Sequence, residues 1–153
     1  MSKKLILLDL DHTLIYGSYA ETETANKLFK FNSYLSVYER PLARDLVKIC
    51  KEKGDIIIYT TALKTYAKKI SKSLGINPIQ ILSRKDCSKK NDSFKKTINL
   101  EWTYFYDEII VIDDSPNVWK NCSDSIKFLV PTEFRGDALD LELQSIIESI
   151  QLI

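Results

Sequence analysis

Short, unbroken apolar runs recur along the chain at residues 4–8, 55–59, 109–112 and 126–130, each rich in Ile, Leu and Val. A weaker run occupies 79–82. Runs of this length without polar alternation are how strands covered on both faces read. Between them the apolar spacing changes to that of an amphipathic helix. Pro41 stands at a first helical position, with Leu42, Leu46, Ile49 and Cys50 on one stripe and Gly54 as the stop. A second stripe runs through Leu63, Tyr66, Ala67, Ile70 and Leu74 to Gly75, and a third through Leu139, Leu143, Ile146, Ile147 and Ile150. Residues 27–38 instead alternate aromatic and polar positions around Asn32-Ser33, which predicts a β-hairpin over the first strand. The alternation of strand and helix predicts an α/β, doubly wound, Rossmann-like parallel sheet with helices on both faces. No repeat or Pro/Gly/Ser linker divides it, so one domain over residues 1–153 is expected.

Composition narrows the chemistry. With 44% hydrophobic and 28% charged residues and a formal charge of +1, the 153-residue chain is neither disordered nor globally drawn to nucleic acid or an anionic membrane. Asp9 interrupts the N-terminal apolar run before it reaches signal-peptide length, and no run approaches the ~18 residues of a membrane span. The cysteines Cys50, Cys87 and Cys122 are odd in number and widely spaced, which argues against a disulfide framework or a zinc site. These features predict a cytoplasmic protein, or a nuclear one in a eukaryote. The four glycines form no phosphate-binding loop of the G-x-G-x-x-G or Walker kind, and a lone histidine, His12, removes mechanisms needing two imidazoles. Chemistry must therefore run on carboxylates, lysines, hydroxyls or a thiol.

The carboxylates lie where a parallel sheet places its functional groups, at the carboxyl ends of strands. Asp9 and Asp11 follow the first strand, and Asp113 and Asp114 follow the run ending at Ile112, with Ser115-Pro116 as a cap and first turn. In an extended segment residues i and i+2 face one side, so Asp9 and Asp11 share a side and His12 points away from it. If the two strands are neighbours, each like-charged pair at ~4 Å costs on the order of 4 kcal/mol at an effective dielectric of about 20. A hard divalent cation, magnesium before calcium, is the expected counter-charge for oxygen-only ligands. An EF-hand fails on counting from Asp9, because Leu14 and Ala20 stand where glycine and glutamate are required.

Asp9-Leu10-Asp11-His12-Thr13 resembles the D-x-D-x-T nucleophile motif of the haloacid dehalogenase superfamily, with Thr60 as its second motif and Asp113-Asp114 as its acidic fourth. Within it the chain is most similar to the small C-terminal-domain phosphatases, also called NLI-interacting-factor-like. Arg40-Pro41, Tyr59-Thr60-Thr61-Ala62 with Tyr66-Ala67, Arg84 with Cys87, and Asp113-Asp114-Ser115-Pro116 carry that resemblance from Leu5 to about Val130. Matching Phe94-Lys95-Lys96-Thr97-Ile98 to the family's aromatic-x-Lys-Asp-Leu places the phosphate-binding lysine at Lys96, with Lys95 adjacent as the alternative. Two departures stand out: His12 where the family often has Glu, and Thr97 where an Asp usually follows the lysine.

The resemblance implies a magnesium-dependent phosphatase acting through an aspartyl-phosphate on phosphoserine or phosphothreonine of a protein or peptide. Asp9 would be the nucleophile and Asp11 the general acid and base, and Asp9, Asp11, Asp113 and Asp114 would hold the metal. Asp11 would contribute its backbone carbonyl, and Thr60 and Lys96 would hold the phosphoryl oxygens. The intervals 13–40 and 61–113 are filled by a hairpin, helices and a strand, so no cap domain fits and the site should be open, on a monomer. A nucleic-acid end or a small metabolite stays open as substrate, and a non-catalytic phosphopeptide-binding module as another class. A receiver domain has its acidic residues, Thr and Lys in a different order. Six cationic and two acidic residues between Arg84 and Lys96 read as a solvated loop able to attract an anionic segment.

Overall fold

The computed structural model describes residues 2–21, 23–120 and 122–153. The first apolar run forms β1 (Lys4–Leu8), followed by three strands of an insertion: β2 (Ile15–Ser18), β3 (Asn26–Lys30) and β4 (Ser36–Glu39). Next come α1 (Ala43–Lys53), β5 (Asp55–Tyr59), α2 (Lys64–Leu74) and β6 (Gln80–Leu82). The return crossover carries β7 (Ser88–Lys90), β8 (Ser93–Thr97) and the single-turn α3 (Trp102–Phe105). The chain ends with β9 (Glu108–Ile112), β10 (Trp119–Lys120), β11 (Lys127–Leu129) and α4 (Leu143–Gln151). Five of these strands make an all-parallel sheet in the order β11-β9-β1-β5-β6. The order reverses at β1, so the crevice beyond its carboxyl end is the topological switch point at which such sheets bind ligands.

The strand period decides what covers each face. Ile6, Leu8, Ile56, Ile58, Ile110 and Ile112 face α1, α2 and α4, which contribute Leu46, Val47, Ala67, Ile70, Ile146 and Ile150. The alternate residues Leu5, Leu7, Ile57, Tyr59, Ile109 and Val111 pack instead on Trp102 of α3, Ile98, Trp119 and Ile126. Helices thus lie on both faces, but three are on one and a single turn is on the other. α2 stops at Gly75, whose φ of 65° closes the helix in the left-handed region that a side chain disfavours.

Several boundaries differ from the sequence pattern. Pro41 is not in a helix: α1 starts at Ala43, after Leu42 adopts a left-handed φ of 71°. Leu63 and Leu139 leave their predicted stripes and are 54% and 84% exposed, because α2 and α4 begin after them. β11 is shorter than the run 126–130, and Ile79 falls outside β6. The hairpin forms as β3 and β4, its turn held by Asn32 Oδ1 accepting the amides of Tyr34 and Leu35. β2 joins it in the order β2-β4-β3, and β10-β8-β7 forms another small sheet. Among the described residues no helix is long and apolar enough to cross a membrane.

Candidate active site

Register brings the two acidic loops together. Leu8 pairs with Ile112 on one side and Ile58 on the other, so the next residues, Asp9, Asp113 and Tyr59, leave the sheet level with one another. The Asp9 amide donates to the Ile112 carbonyl at 3.0 Å, and the Thr60 amide to Leu82 at 2.9 Å, which anchors both loop starts. Asp9, Asp11, His12, Thr60, Lys96, Asp113 and Asp114 line one cleft of about 120 Å³. All six residues named from the sequence therefore meet. Asp11, Thr61 and Asp114 stay partly exposed, so the cleft reaches solvent.

Lys96 is the centre of the ionic arrangement. Its ammonium, 2% exposed, donates to Asp9 Oδ1 at 2.9 Å and to Asp113 Oδ2 at 2.7 Å. Lys96 lies on β8, whose alternation turns it inward, whereas Lys95 turns out to the Asn117 carbonyl at 3.2 Å. Trp119 Nε1 donates to Asp113 Oδ2 at 2.9 Å and the Ser115 amide to Oδ1 at 2.9 Å, which fixes that carboxylate. Thr13, fully buried, ties the loops: its hydroxyl donates to Asp9 Oδ2 at 2.8 Å and accepts from the Asp114 amide at 3.0 Å. Thr60 Oγ1 accepts the Ala62 amide at 3.0 Å, which leaves its own proton to donate into the cleft.

Burial governs the protonation energetics. It pushes the Asp9 carboxyl above the ordinary value even though the Lys96 charge opposes this. Asp11 is pushed up to about 6 by burial and then by the charge of Asp9. Asp113 is likewise pushed up to about 6, by burial first and Asp9 second. Burial alone would lower the Lys96 ammonium, but the charges of Asp9 and Asp113 together outweigh it and raise its pKa. Carboxylate oxygens of Asp9, Asp113 and Asp114 all lie within 4.8 Å of one another. Three carboxylates face one ammonium, a hard-oxygen set with surplus negative charge that fits magnesium. The Asp11 carboxylate stands outside that trio and accepts from the Tyr66 hydroxyl at 3.1 Å.

His12 borders the cleft, while its ring packs on Tyr16 with centroids 5.5 Å apart. Alternation holds only while the backbone is extended, and His12 has a φ of 66°. Its Nδ1 lies 2.9 Å from the Phe134 carbonyl, which only accepts, so Nδ1 carries the proton. Arg40, completely buried, donates Nη1 to the His12 and Thr13 carbonyls at 3.3 and 3.1 Å and pairs in two-pronged fashion with Asp140. The sequence signal for these supporting groups was faint. Thr13 and Arg40 stood only in motif matches, Tyr66 in a motif match and on a helical stripe, and Trp119 in neither.

This geometry can be set beside known proteins. Residues 4–153 match the sequence profile described as NLI interacting factor-like phosphatase. The chain belongs to this family. An uncharacterized protein of Schizosaccharomyces pombe is 27% identical over 122 residues, which cover 75% of this chain and 37% of that relative. Two solved structures superpose on 98% of the chain. One is Fcp1, described as an essential RNA polymerase II CTD phosphatase (24% identity, TM-score 0.57, 49% of its chain covered). The other is a point variant of fission yeast Fcp1 bound to beryllium fluoride (21% identity, TM-score 0.58, 50% covered). These likenesses show the shared fold, and this family member spans about half the length of either Fcp1 chain.

Proposed function

We propose that this chain is a magnesium-dependent phosphatase that hydrolyses phosphoserine or phosphothreonine in a protein through an aspartyl-phosphate on Asp9. The observation that carries the reading is Lys96 held between Asp9 and Asp113 in a cleft also lined by Asp11, Asp114 and Thr60. Family membership supports the reaction class, and the CTD phosphatase activity of Fcp1 supports a phosphorylated protein as substrate.

Spontaneous phosphate-monoester hydrolysis is so slow that up to ~20 kcal/mol of barrier must be removed, and several groups must share that. The Asp9 carboxylate attacks phosphorus while Asp11 protonates the departing alkoxide; Asp11 then takes a proton from the water that cleaves the acyl phosphate. The Lys96 ammonium and the Thr60 hydroxyl hold phosphoryl oxygens, and loss of such a donor costs roughly 100- to 1000-fold. Asp9, Asp113, Asp114 and the Asp11 main-chain carbonyl would hold magnesium, which when bound supplies charge neutralisation and Lewis-acid polarisation.

The test is phosphate release from a phosphoserine peptide, a phosphorylated oligonucleotide and a sugar phosphate, with and without magnesium. Magnesium-dependent turnover that favours the peptide and vanishes in Asp9→Asn is the expected result. Unchanged turnover in that variant, or a preference for the sugar phosphate, overturns the reading.

A further inference from the structure

One oxygen of the Asp11 carboxyl group is tied to a buried phenol. Tyr66 Oη lies 3.1 Å from Asp11 Oδ1. Its ring is buried, packed edge-on against Phe31 with centroids 5.1 Å apart, and anchored on the buried side of α2. The phenol therefore approaches Asp11 from a fixed direction. Opposite it lies Gly17, in the interior of β2, a position where glycine weakens a strand. Gly17 does not have the positive φ that would call for glycine. What it lacks is space: a Cβ there would stand 2.9 Å from Tyr66 Oη and 3.3 Å from Leu35 Cδ1. The small insertion sheet thus makes room for this one hydroxyl.

We infer that Tyr66 is a positioning residue that holds the Asp11 side chain in one orientation for proton transfer, and that Gly17 is kept bare so that it can. The inference rests on the phosphatase reading. The hydrogen bond ties Asp11 Oδ1 to a phenol that is itself fixed by packing, which limits rotation of the carboxyl group. As the Asp9 oxygen–phosphorus bond forms and the bond from phosphorus to the seryl oxygen breaks, Asp11 passes a proton to that oxygen and is left as carboxylate. In the second half-reaction the attacking water returns a proton to Asp11.

A leaving group that needs no proton separates this role from a merely structural one. Turnover of a phosphoserine peptide, whose alkoxide is a poor leaving group, is compared with that of para-nitrophenyl phosphate. In Tyr66→Phe the ratio of kcat on the peptide to kcat on the aryl phosphate is expected to fall roughly 10- to 100-fold, within the range of general acid catalysis. Gly17→Ala, which displaces the phenol without removing it, is expected to lower the same ratio, and Asp11→Asn to set the limit. An equal fall on both substrates, or an unchanged ratio in a folded Tyr66→Phe protein, overturns the inference. A wild-type protein that hydrolyses neither substrate overturns the phosphatase reading instead. The second variant keeps the test decisive should either one fold poorly.

Discussion

On one face of the sheet, aliphatic side chains from β1, β5 and β9 meet three amphipathic helices. On the other they meet Trp102, Trp119 and Ile98 from a crossover of short strands and one helical turn. The first cover is interchangeable hydrocarbon. The second holds Lys96 and Trp119, whose polar atoms reach through to Asp9 and Asp113. The difference teaches that one face supplies cohesion while the other aims charge, so substitutions on the two faces should separate stability from chemistry.

The largest effect is expected on the charge-bearing face. Lys96→Met should lower turnover roughly 100- to 1000-fold. It also leaves Asp9 and Asp113 without their buried cation, which should destabilise the metal-free protein by about 3–5 kcal/mol. Calorimetry with and without magnesium should show a larger metal-induced rise in Tm for this variant than for the wild type. Leu46→Ala on the helical face should cost about 2–5 kcal/mol in denaturant unfolding and leave kcat of the folded protein unchanged. A comparable fall in kcat would break the separation. Trp119→Phe keeps the ring, edge-on to Tyr59 with centroids 5.1 Å apart, but deletes the donor to Asp113. It should cost about 1.5–3 kcal/mol of interaction, seen mainly in kcat rather than in Tm. Leu139→Ser should change stability by no more than about 0.5 kcal/mol, since the side chain is 84% exposed.

The same contrast explains what the sequence made legible. The runs of β1 and β5 coincide with the observed strands residue for residue, because burial on both faces leaves no polar interruption. The four aspartates were visible because each pair directly follows such a run. β2, β7, β8 and β10 were not, since Ser88–Lys90 and Trp119–Lys120 are too short and polar to show a period. Their pairing depends on partners distant in the chain: Trp119 aligns with Lys96 of β8 across 23 positions. Without β8 only the motif match favoured Lys96 over Lys95. Alternation alone could not settle the side taken by His12, because its left-handed backbone breaks the extended run on which alternation depends.

Arg40 carries an implication for where the polypeptide can be shortened. The guanidinium that grips the main chain at His12 and Thr13 is balanced by Asp140, well beyond the last residue that lines the cleft. A truncated version ending before Asp140 would retain every residue that lines the cleft, yet strand a cation in the interior at a cost of about 3–5 kcal/mol. The stretch just ahead of α4 therefore supports the candidate site from behind, through Arg40.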